Sequence, residues 1–123
     1  HKAGLTPEVE FIYISSYGAG TTAGEVKLQR DIDSDVKGRD ILLIDDILES
    51  GNTMKFTRDL LLSRGANKVS IVTLLDKSMR RKSDIDADYI GFECPDKFVV
   101  GYGMDVGHAF RELPFVGVVT GDA

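Results

Sequence analysis

The chain has 123 residues, of which 42% are hydrophobic and 28% charged, and a formal net charge of −5. This length suits one domain with its own core, and the negative charge excludes a nucleic acid held by bulk electrostatics as a partner. A single cysteine, Cys94, and only two histidines exclude an internal disulfide and a metal site rich in cysteine or histidine. Without an apolar run long enough to cross a bilayer or a charged-then-apolar leader, the sequence predicts a soluble, cytoplasmic domain with no membrane partner.

The N-terminal third is predicted to form two strands joined by a long loop. Residues Val9–Ile14 alternate partly between apolar and polar types, which favours a strand. Residues Ser15–Gly24 are punctuated by glycine and predict a loop. The alternation that resumes over Gly24–Arg30 predicts a strand returning from that loop.

The central third is predicted to be a strand–helix–strand unit. The continuous apolar run Ile41–Ile44 is typical of a parallel strand covered on both faces, and it is expected to stop at the acid pair that follows. Helix-forming residues run from Asn52 to Arg64, and Gly65 is placed as a C-terminal cap. The run Val69–Leu75 predicts the next strand, and such a crossover is nearly always right-handed.

The last third is predicted to contain short strands, and residues 105–111 are a candidate for a short second helix. These strands are Tyr89–Phe92, Phe98–Tyr102 and Phe115–Val119. The whole pattern predicts an α/β fold built on a mostly parallel, twisted sheet flanked by helices. Helices are scarce for a sheet that needs cover on both faces, so further chain upstream is expected.

The stretch Ile41–Thr53 carries the chemistry. A strand delivers two carboxylates, Asp45 and Asp46, to the edge where open α/β sheets bind ligands. A turn of small polar residues then opens a helix, so free backbone N–H groups and the helix dipole meet at one spot, with the Ser50 and Thr53 hydroxyls as further donors. That spot suits a phosphate, and the nearby carboxylates suit sugar hydroxyls or a magnesium shell. The alternative, a strand end and a helix cap with no ligand, explains each residue singly but not the whole combination.

The same stretch resembles the phosphoribosyl pyrophosphate-binding motif of type I phosphoribosyltransferases: four apolar residues, two acids, two apolar residues, then acid-Ser/Thr-Gly-x-Thr. The C-terminal half resembles the hypoxanthine-guanine branch of that family, and Ser15–Gly18 resembles the start of its mobile active-site loop. The segments of the C-terminal half that carry this resemblance are Leu74–Lys77, Asp88–Glu93 and Pro95–Asp105.

The resemblance implies a single phosphoribosyltransferase domain over residues 1–123, with a long flexible active-site loop. It implies purine salvage: magnesium-dependent, reversible transfer of phosphoribose from 5-phosphoribosyl 1-pyrophosphate to hypoxanthine or guanine, giving IMP or GMP and pyrophosphate. It also implies a homo-oligomer, dimer or tetramer.

By the same resemblance, acids and the turn hold the activated sugar. Asp45 and Asp46 contact the ribose hydroxyls directly or through Mg²⁺ and water, and Asp105 binds a second Mg²⁺ through water. The residues expected to wrap the 5-phosphate are Ser50, Gly51, Asn52 and Thr53.

The resemblance assigns the base to Lys77, Phe98 and Val99. Lys77 hydrogen-bonds the exocyclic oxygen of a 6-oxopurine, Phe98 stacks on the base, and the Val99 backbone reads its edge. Without the resemblance, Lys77 is a solvated lysine beside a basic run, and Phe98 and Val99 are strand core. Arg111 is expected to face pyrophosphate.

The remaining implied roles are closure and proton handling. Ser16 and Tyr17 close over the reaction and exclude water. Glu49 stands where the family usually has aspartate, and it is predicted to handle the proton on purine N7. The family also carries an N-terminal segment with a Leu-Lys-Gly loop that holds pyrophosphate. This sequence has no such loop, so we expect the 123-residue chain alone to be poorly active.

Two other readings compete with the enzyme. The first is a phosphoribosyltransferase fold kept as a nucleotide-sensing module, since fold does not fix function; only Glu49 and the absent loop favour it. The second is a receiver-type signalling domain, which needs a different arrangement of acids and gives no role to the turn at 50–53.

Overall fold

The computed structural model describes residues 2–17 and 25–120, apart from the side chains of Ser16, Tyr17 and Glu25. Residues 18–24 of the expected glycine-rich loop lie outside the described residues. The prediction that the loop begins at Ser15 is wrong, because residues 15–17 belong to a strand. Contacts divide the chain into two compact units, one formed by residues 1–41 and 52–69 and the other by residues 42–51 and 70–123. Within the part of the chain that the structure describes, no helix is long and apolar enough to span a membrane.

The first unit contains an antiparallel hairpin of β1 (Tyr13–Tyr17) and β2 (Glu25–Arg30). The prediction that the first strand covers Val9–Ile14 is wrong, because the strand begins at Tyr13. Tyr13 pairs with Arg30, the last residue of β2, so the pairing register ends there. The predicted returning strand is confirmed.

The helix of this unit, α1 (Asn52–Ser63), is confirmed close to its predicted bounds. It ends in a Schellman motif: the N–H of Gly65 donates to the Leu62 carbonyl at 3.0 Å, and the N–H of Ala66 donates to the Leu61 carbonyl at 3.1 Å. Gly65 has φ +91°, which glycine adopts without strain. The predicted cap therefore satisfies carbonyls that the helix end would otherwise leave unpaired.

The second unit is organised around a three-stranded sheet in the order β3-β4-β5. Its strands are β3 (Asp40–Leu48), β4 (Lys68–Asp76) and β5 (Tyr89–Glu93), and β4 pairs with β5 in parallel. The prediction that β3 stops at the acid pair is wrong, because pairing continues past it: the N–H of Lys77 donates to the Leu48 carbonyl at 2.9 Å. Expected cover on both faces is also not seen in the described residues, since Leu42 is 53% and Ile44 73% exposed.

A small cluster packs at the end of this sheet. Leu75, Cys94, Val99 and Met104 are buried together, and Ile47 packs against them. Val99 belongs to β6 (Val99–Val100), which pairs antiparallel with β7 (Gly117–Val118). The cluster joins the last residues of β3 and β4 to the C-terminal segment, and Cys94 serves in it as a buried apolar residue.

The predicted second helix over residues 105–111 is wrong. This segment consists of turns and isolated bridges, with Val106 paired to Ala109. Gly107, His108 and Phe110 have φ values of +58°, +68° and +72°. A right-handed helix needs negative φ throughout, so these three residues exclude one.

Candidate active site

The ends of β3 and β4 bring Glu49 and Lys77 together. The Lys77 Nζ donates to Glu49 Oε1 at 2.8 Å. Glu49 directly follows β3 and Lys77 directly follows β4, and neighbouring strands place their ends side by side. Two residues separated by 28 positions in the sequence thus form one ion pair.

Lys77 is a buried lysine, only 5% exposed, whereas the Glu49 side chain is about half exposed. A buried ammonium must be paired, because removing it from water is costly. The alternative of a solvated lysine is therefore wrong. The carboxylate of this pair is accessible to solvent, whereas the lysine side chain is buried.

The turn after Glu49 is held by backbone contacts from the segment that follows β4. The N–H groups of Lys82 and Ser83 both donate to the Ser50 carbonyl, at 2.8 and 3.0 Å. Gly51 has φ +83°, and a Cβ built there would lie 2.4 Å from Ile85 Cγ2. Only glycine fits this position, and α1 begins at the next residue, Asn52. The turn from Ser50 thus leads at once into the start of a helix, with Thr53 in its first turn.

Sequence reasoning missed Arg81 and Asp76. Asp76 is 3% exposed, and its Oδ1 accepts from Arg81 Nη2 at 2.5 Å. Arg81 Nη1 also donates to the Glu49 carbonyl at 2.7 Å, and the Arg81 side chain is only 12% exposed. No local pattern separates Arg81 from its basic neighbours Arg80 and Lys82, so the sequence offers no signal for this contact.

Asp45 and Asp46 lie inside β3 rather than beyond its end. Asp45 is half-buried and Asp46 exposed. Burial raises the pKa of Asp45 to about 7, and the hydrogen bond and negative charge of the Asp46 side chain act in the same direction. The Asp46 N–H, which donates to Asp45 Oδ1 at 2.9 Å, acts in the opposite direction and lowers the pKa. A carboxyl with this pKa is partly protonated at neutral pH, and a nearby cation or hydroxyl donor would stabilise its charged form.

The two base-contact candidates at β6 differ in burial. Phe98 is 55% exposed, although its carbonyl accepts from the Val119 N–H at 2.9 Å. Val99 is 9% exposed and packs in the cluster that contains Leu75, two residues before Lys77. The Phe98 ring is thus exposed to solvent, whereas the Val99 side chain belongs to the core and leaves only its backbone for contact with a ligand.

The loop that follows β6 brings Asp105 and Arg111 together. Arg111 Nη2 lies 3.2 Å from Asp105 Oδ2, and Arg111 Nη1 donates to the Gly103 carbonyl at 2.5 Å. Asp105 Oδ2 also accepts from the His108 N–H at 2.7 Å. The predicted metal carboxylate and the predicted pyrophosphate-facing cation therefore share one loop.

Two predicted contacts cannot be placed. The side chains of Ser16 and Tyr17 lie outside the described residues, although their backbones belong to β1.

Over residues 2–17 and 25–120, no group of three or more acidic, histidine or cysteine side chains forms a cage for a metal ion.

Known proteins match both this sequence and this fold. The model of the phosphoribosyl transferase domain matches residues 3–106, and the chain belongs to that family. It is 51% identical to the hypoxanthine-guanine phosphoribosyltransferase of Bacillus subtilis (strain 168) over 113 residues, which is 91% of this chain and 63% of that protein. The chain therefore spans less than two thirds of the length of this relative.

Solved structures agree. The chain is similar to a hypoxanthine phosphoribosyltransferase from Staphylococcus aureus, with a TM-score of 0.84 and 48% identity over 89% of this chain and 60% of that one. It is also similar to a variant of the Trypanosoma cruzi enzyme of that name in a ternary substrates complex, with a TM-score of 0.88 and 32% identity over 96% of this chain and 64% of that one. The predicted α/β fold class is confirmed, and the matching relatives carry the name of the branch of the family that the sequence resembles.

Proposed function

We propose that residues 1–123 act as one phosphoribosyltransferase domain in purine salvage, transferring phosphoribose from 5-phosphoribosyl 1-pyrophosphate to hypoxanthine or guanine. The products are IMP or GMP and pyrophosphate, and the reaction is reversible. The observation that carries the proposal is the 2.8 Å contact between Lys77 and Glu49. These are the two residues to which the family resemblance assigns the polar edge of the base.

The pair explains a preference for a 6-oxopurine. A buried ammonium offers donors only, so it matches a 6-oxo group, whereas the amino group of adenine is itself a donor. Glu49 then accepts the proton of purine N7 or balances the charge that develops on the imidazole ring. Phe98, whose ring is exposed, is proposed to stack on the base, and the Val99 backbone to read its edge.

The turn at residues 50–53 is proposed to hold the 5-phosphate. Ser50 and Gly51 are fixed by their contacts with the segment 82–85, and the helix starts at Asn52. Backbone N–H groups at a helix start, with the hydroxyls of Ser50 and Thr53, form a suitable anion site. Such a site positions the sugar without contributing a reactive group.

Mg²⁺ is the implied cofactor, and the residues present fit it. Magnesium usually keeps several waters and is held by one or two carboxylates together with substrate phosphates rather than by a protein cage. Asp45, Asp46 and Asp105 supply hard oxygen donors, and the raised pKa of Asp45 marks a carboxyl that a cation would stabilise in its charged form. When bound, the ion neutralises charge on the pyrophosphate leaving group.

The protein's own work in this proposal is positioning and charge stabilisation. The transition state is expected to resemble an oxocarbenium ion, which water would capture. Arg111 faces the departing pyrophosphate, and Ser16 and Tyr17 close over the reaction to exclude water. The protein is further proposed to be cytoplasmic and a homo-oligomer, dimer or tetramer, with no nucleic-acid or membrane partner.

A turnover assay tests the proposal. The protein is incubated with 5-phosphoribosyl 1-pyrophosphate, Mg²⁺ and each of hypoxanthine, guanine, xanthine and adenine, with Asp46→Asn as the control variant. Formation of 6-oxopurine nucleotides, lost in the variant and absent with adenine, supports the enzyme. Adenine used as well as hypoxanthine contradicts the role of Lys77.

A silent chain calls for a second assay, with the N-terminal segment of the Bacillus subtilis relative joined to this chain. Recovered turnover assigns the silence to the lack of that segment in the assayed chain. Continued silence with retained nucleotide binding favours the sensing module, for which Glu49 and the absent loop are the only support.

A further inference from the structure

We infer that Arg81 is a positioning residue of this site, one that fixes the turn at Glu49 and thereby aims the Glu49 carboxylate at Lys77 and the base. The inference rests on the proposed function for its kinetic consequence. Its structural content stands on the contacts alone.

Arg81 contacts four groups: two consecutive backbone carbonyls where β3 ends, and two carboxylates that lie five positions before and after it in the sequence. Its Nη2 donates to the Asp76 carboxylate at 2.5 Å, and its Nη1 donates to the carbonyls of Glu49 at 2.7 Å and Leu48 at 3.4 Å. Its Nε lies 3.4 Å from Asp86. One planar guanidinium thus joins the end of β4 to the end of β3.

The backbone around Glu49 is held by hydrogen bonds to two consecutive carbonyls. The Glu49 carbonyl is held by Arg81, and the next carbonyl, that of Ser50, accepts two N–H groups from residues 82 and 83. With its backbone fixed, Glu49 keeps a side-chain direction that reaches Lys77. Lys77 is itself fixed, since its N–H donates to the Leu48 carbonyl. Both members of the ion pair are therefore positioned through one buried network.

Arginine suits this task better than lysine. The guanidinium presents five N–H donors in a rigid fork, whereas an ammonium is a point charge on a flexible stem. Asp76, at 3% exposure, balances its charge and needs that balance in turn. Neither charge is available to a ligand, so the pair acts through the turn and not on the substrate.

The test compares Arg81→Gln with Arg80→Gln. Arg80, the neighbouring arginine, is 57% exposed and pairs with Asp96 on the surface. Arg80→Gln therefore removes the same chemical group from the protein without removing a contact with the turn. We expect kcat to fall on the order of 100-fold in Arg81→Gln, the cost of a misplaced catalytic group. The KM for 5-phosphoribosyl 1-pyrophosphate should change little, because the phosphate turn keeps its contacts with residues 82–85. Arg80→Gln should match the unaltered protein.

A second readout does not depend on turnover. The ammonium of Lys77, assigned with Lys77→Met, should give an NMR signal protected from exchange with water by its ion pair. Loss of that signal in Arg81→Gln but not in Arg80→Gln supports the positioning role even where no base is turned over, in which case the proposed function fails and the inference stands. An unchanged signal and an unchanged kcat in Arg81→Gln overturn the inference.

Arg81→Gln leaves the buried Asp76 carboxylate without its ion-pair partner, which destabilises the fold. The double variant Asp76→Asn/Arg81→Gln removes both charges and avoids this problem. A positioning role predicts a folded double variant with low kcat and no protected Lys77 signal. Recovery of kcat and signal together with stability would show that the pair only stabilises the fold, and would overturn the inference.

Discussion

Gly51 combines two constraints in one residue. Its φ is +83°, and a Cβ there would lie 2.4 Å from Ile85 Cγ2. Gly38 has a similar φ of +72° but open space around a Cβ. The two glycines therefore separate the cost of backbone conformation from the cost of a steric clash.

We predict that Gly51→Ala lowers the free energy of unfolding by about 3 kcal/mol or more, since strain and overpacking add. Gly38→Ala should cost about 1 kcal/mol, from the backbone alone. Urea denaturation of both variants measures the difference. Equal losses would show that the segment around Ile85 yields, and that the turn is less rigid than described.

Asp45 makes the stability of the metal-free protein depend on pH. Its folded pKa of about 7 lies above the ordinary value of about 4 for an aspartate in an unfolded chain. Between these two values the folded state binds more protons than the unfolded state, so the free energy of unfolding falls as pH rises from about 4 to 7.

We predict that Asp45→Asn abolishes this fall and is more stable than the unaltered protein at pH 8, with little difference at pH 4. Thermal unfolding across this range in EDTA measures it, with the exposed Asp84→Asn as control. Parallel pH profiles for Asp45→Asn and the unaltered protein would contradict the account.

At the scale of elements, α1 shows a boundary set by local chemistry. Gly65 adopts the positive-φ conformation that the two backbone hydrogen bonds of the Schellman motif require. The bidentate contact of Arg64 with Asp31, at 2.6 and 2.7 Å, adds a tie from the helix end to the segment after β2. It also holds the pKa of Asp31 below its usual value, mainly through hydrogen bonding to Arg64.

Gly65→Ala is predicted to destabilise the protein by about 1–2 kcal/mol, because alanine is strained at φ +91°. Chemical denaturation measures the loss, and Ser63→Ala, at the exposed last residue of α1 two positions earlier, is the control. A loss no greater than that of the control would mean that the helix ends differently from the motif described.

Elements with local signals were predictable, and elements fixed by distant contacts were not. The helix at 52–63 carries its start and stop in its own residues. The segment 105–111 reads as helical, yet positive φ at His108 and Phe110 belongs to a loop held by the Asp105 and Arg111 contacts. The strand β3 runs past its two acids because β4 pairs with it beyond them.

The candidate site divides in the same way. The turn at 50–53 could be predicted from the sequence, because the proposed phosphate site is formed by consecutive residues. Lys77 needed the family resemblance to be distinguished from its basic neighbours. Arg81 had no signal at all, since its partners at 48, 49 and 76 meet it only in the fold.

At the scale of the whole molecule, the chain belongs to the phosphoribosyl transferase domain family and spans 63% of the Bacillus subtilis relative. The part it contains holds the turn proposed for the 5-phosphate and the pair proposed for the base. Binding of a nucleoside monophosphate, which needs both and no pyrophosphate, therefore tests the proposed chemistry without demanding turnover.

The most direct measurement is calorimetric titration of this chain with IMP, GMP and AMP in the presence of Mg²⁺, for the unaltered protein and Lys77→Met. The account predicts that IMP and GMP bind and AMP binds far more weakly. Lys77→Met should weaken IMP by about 10- to 100-fold, the worth of a hydrogen bond to a charged group, while leaving AMP unaffected. Equal affinity for IMP and AMP, or IMP binding unchanged by Lys77→Met, would contradict it.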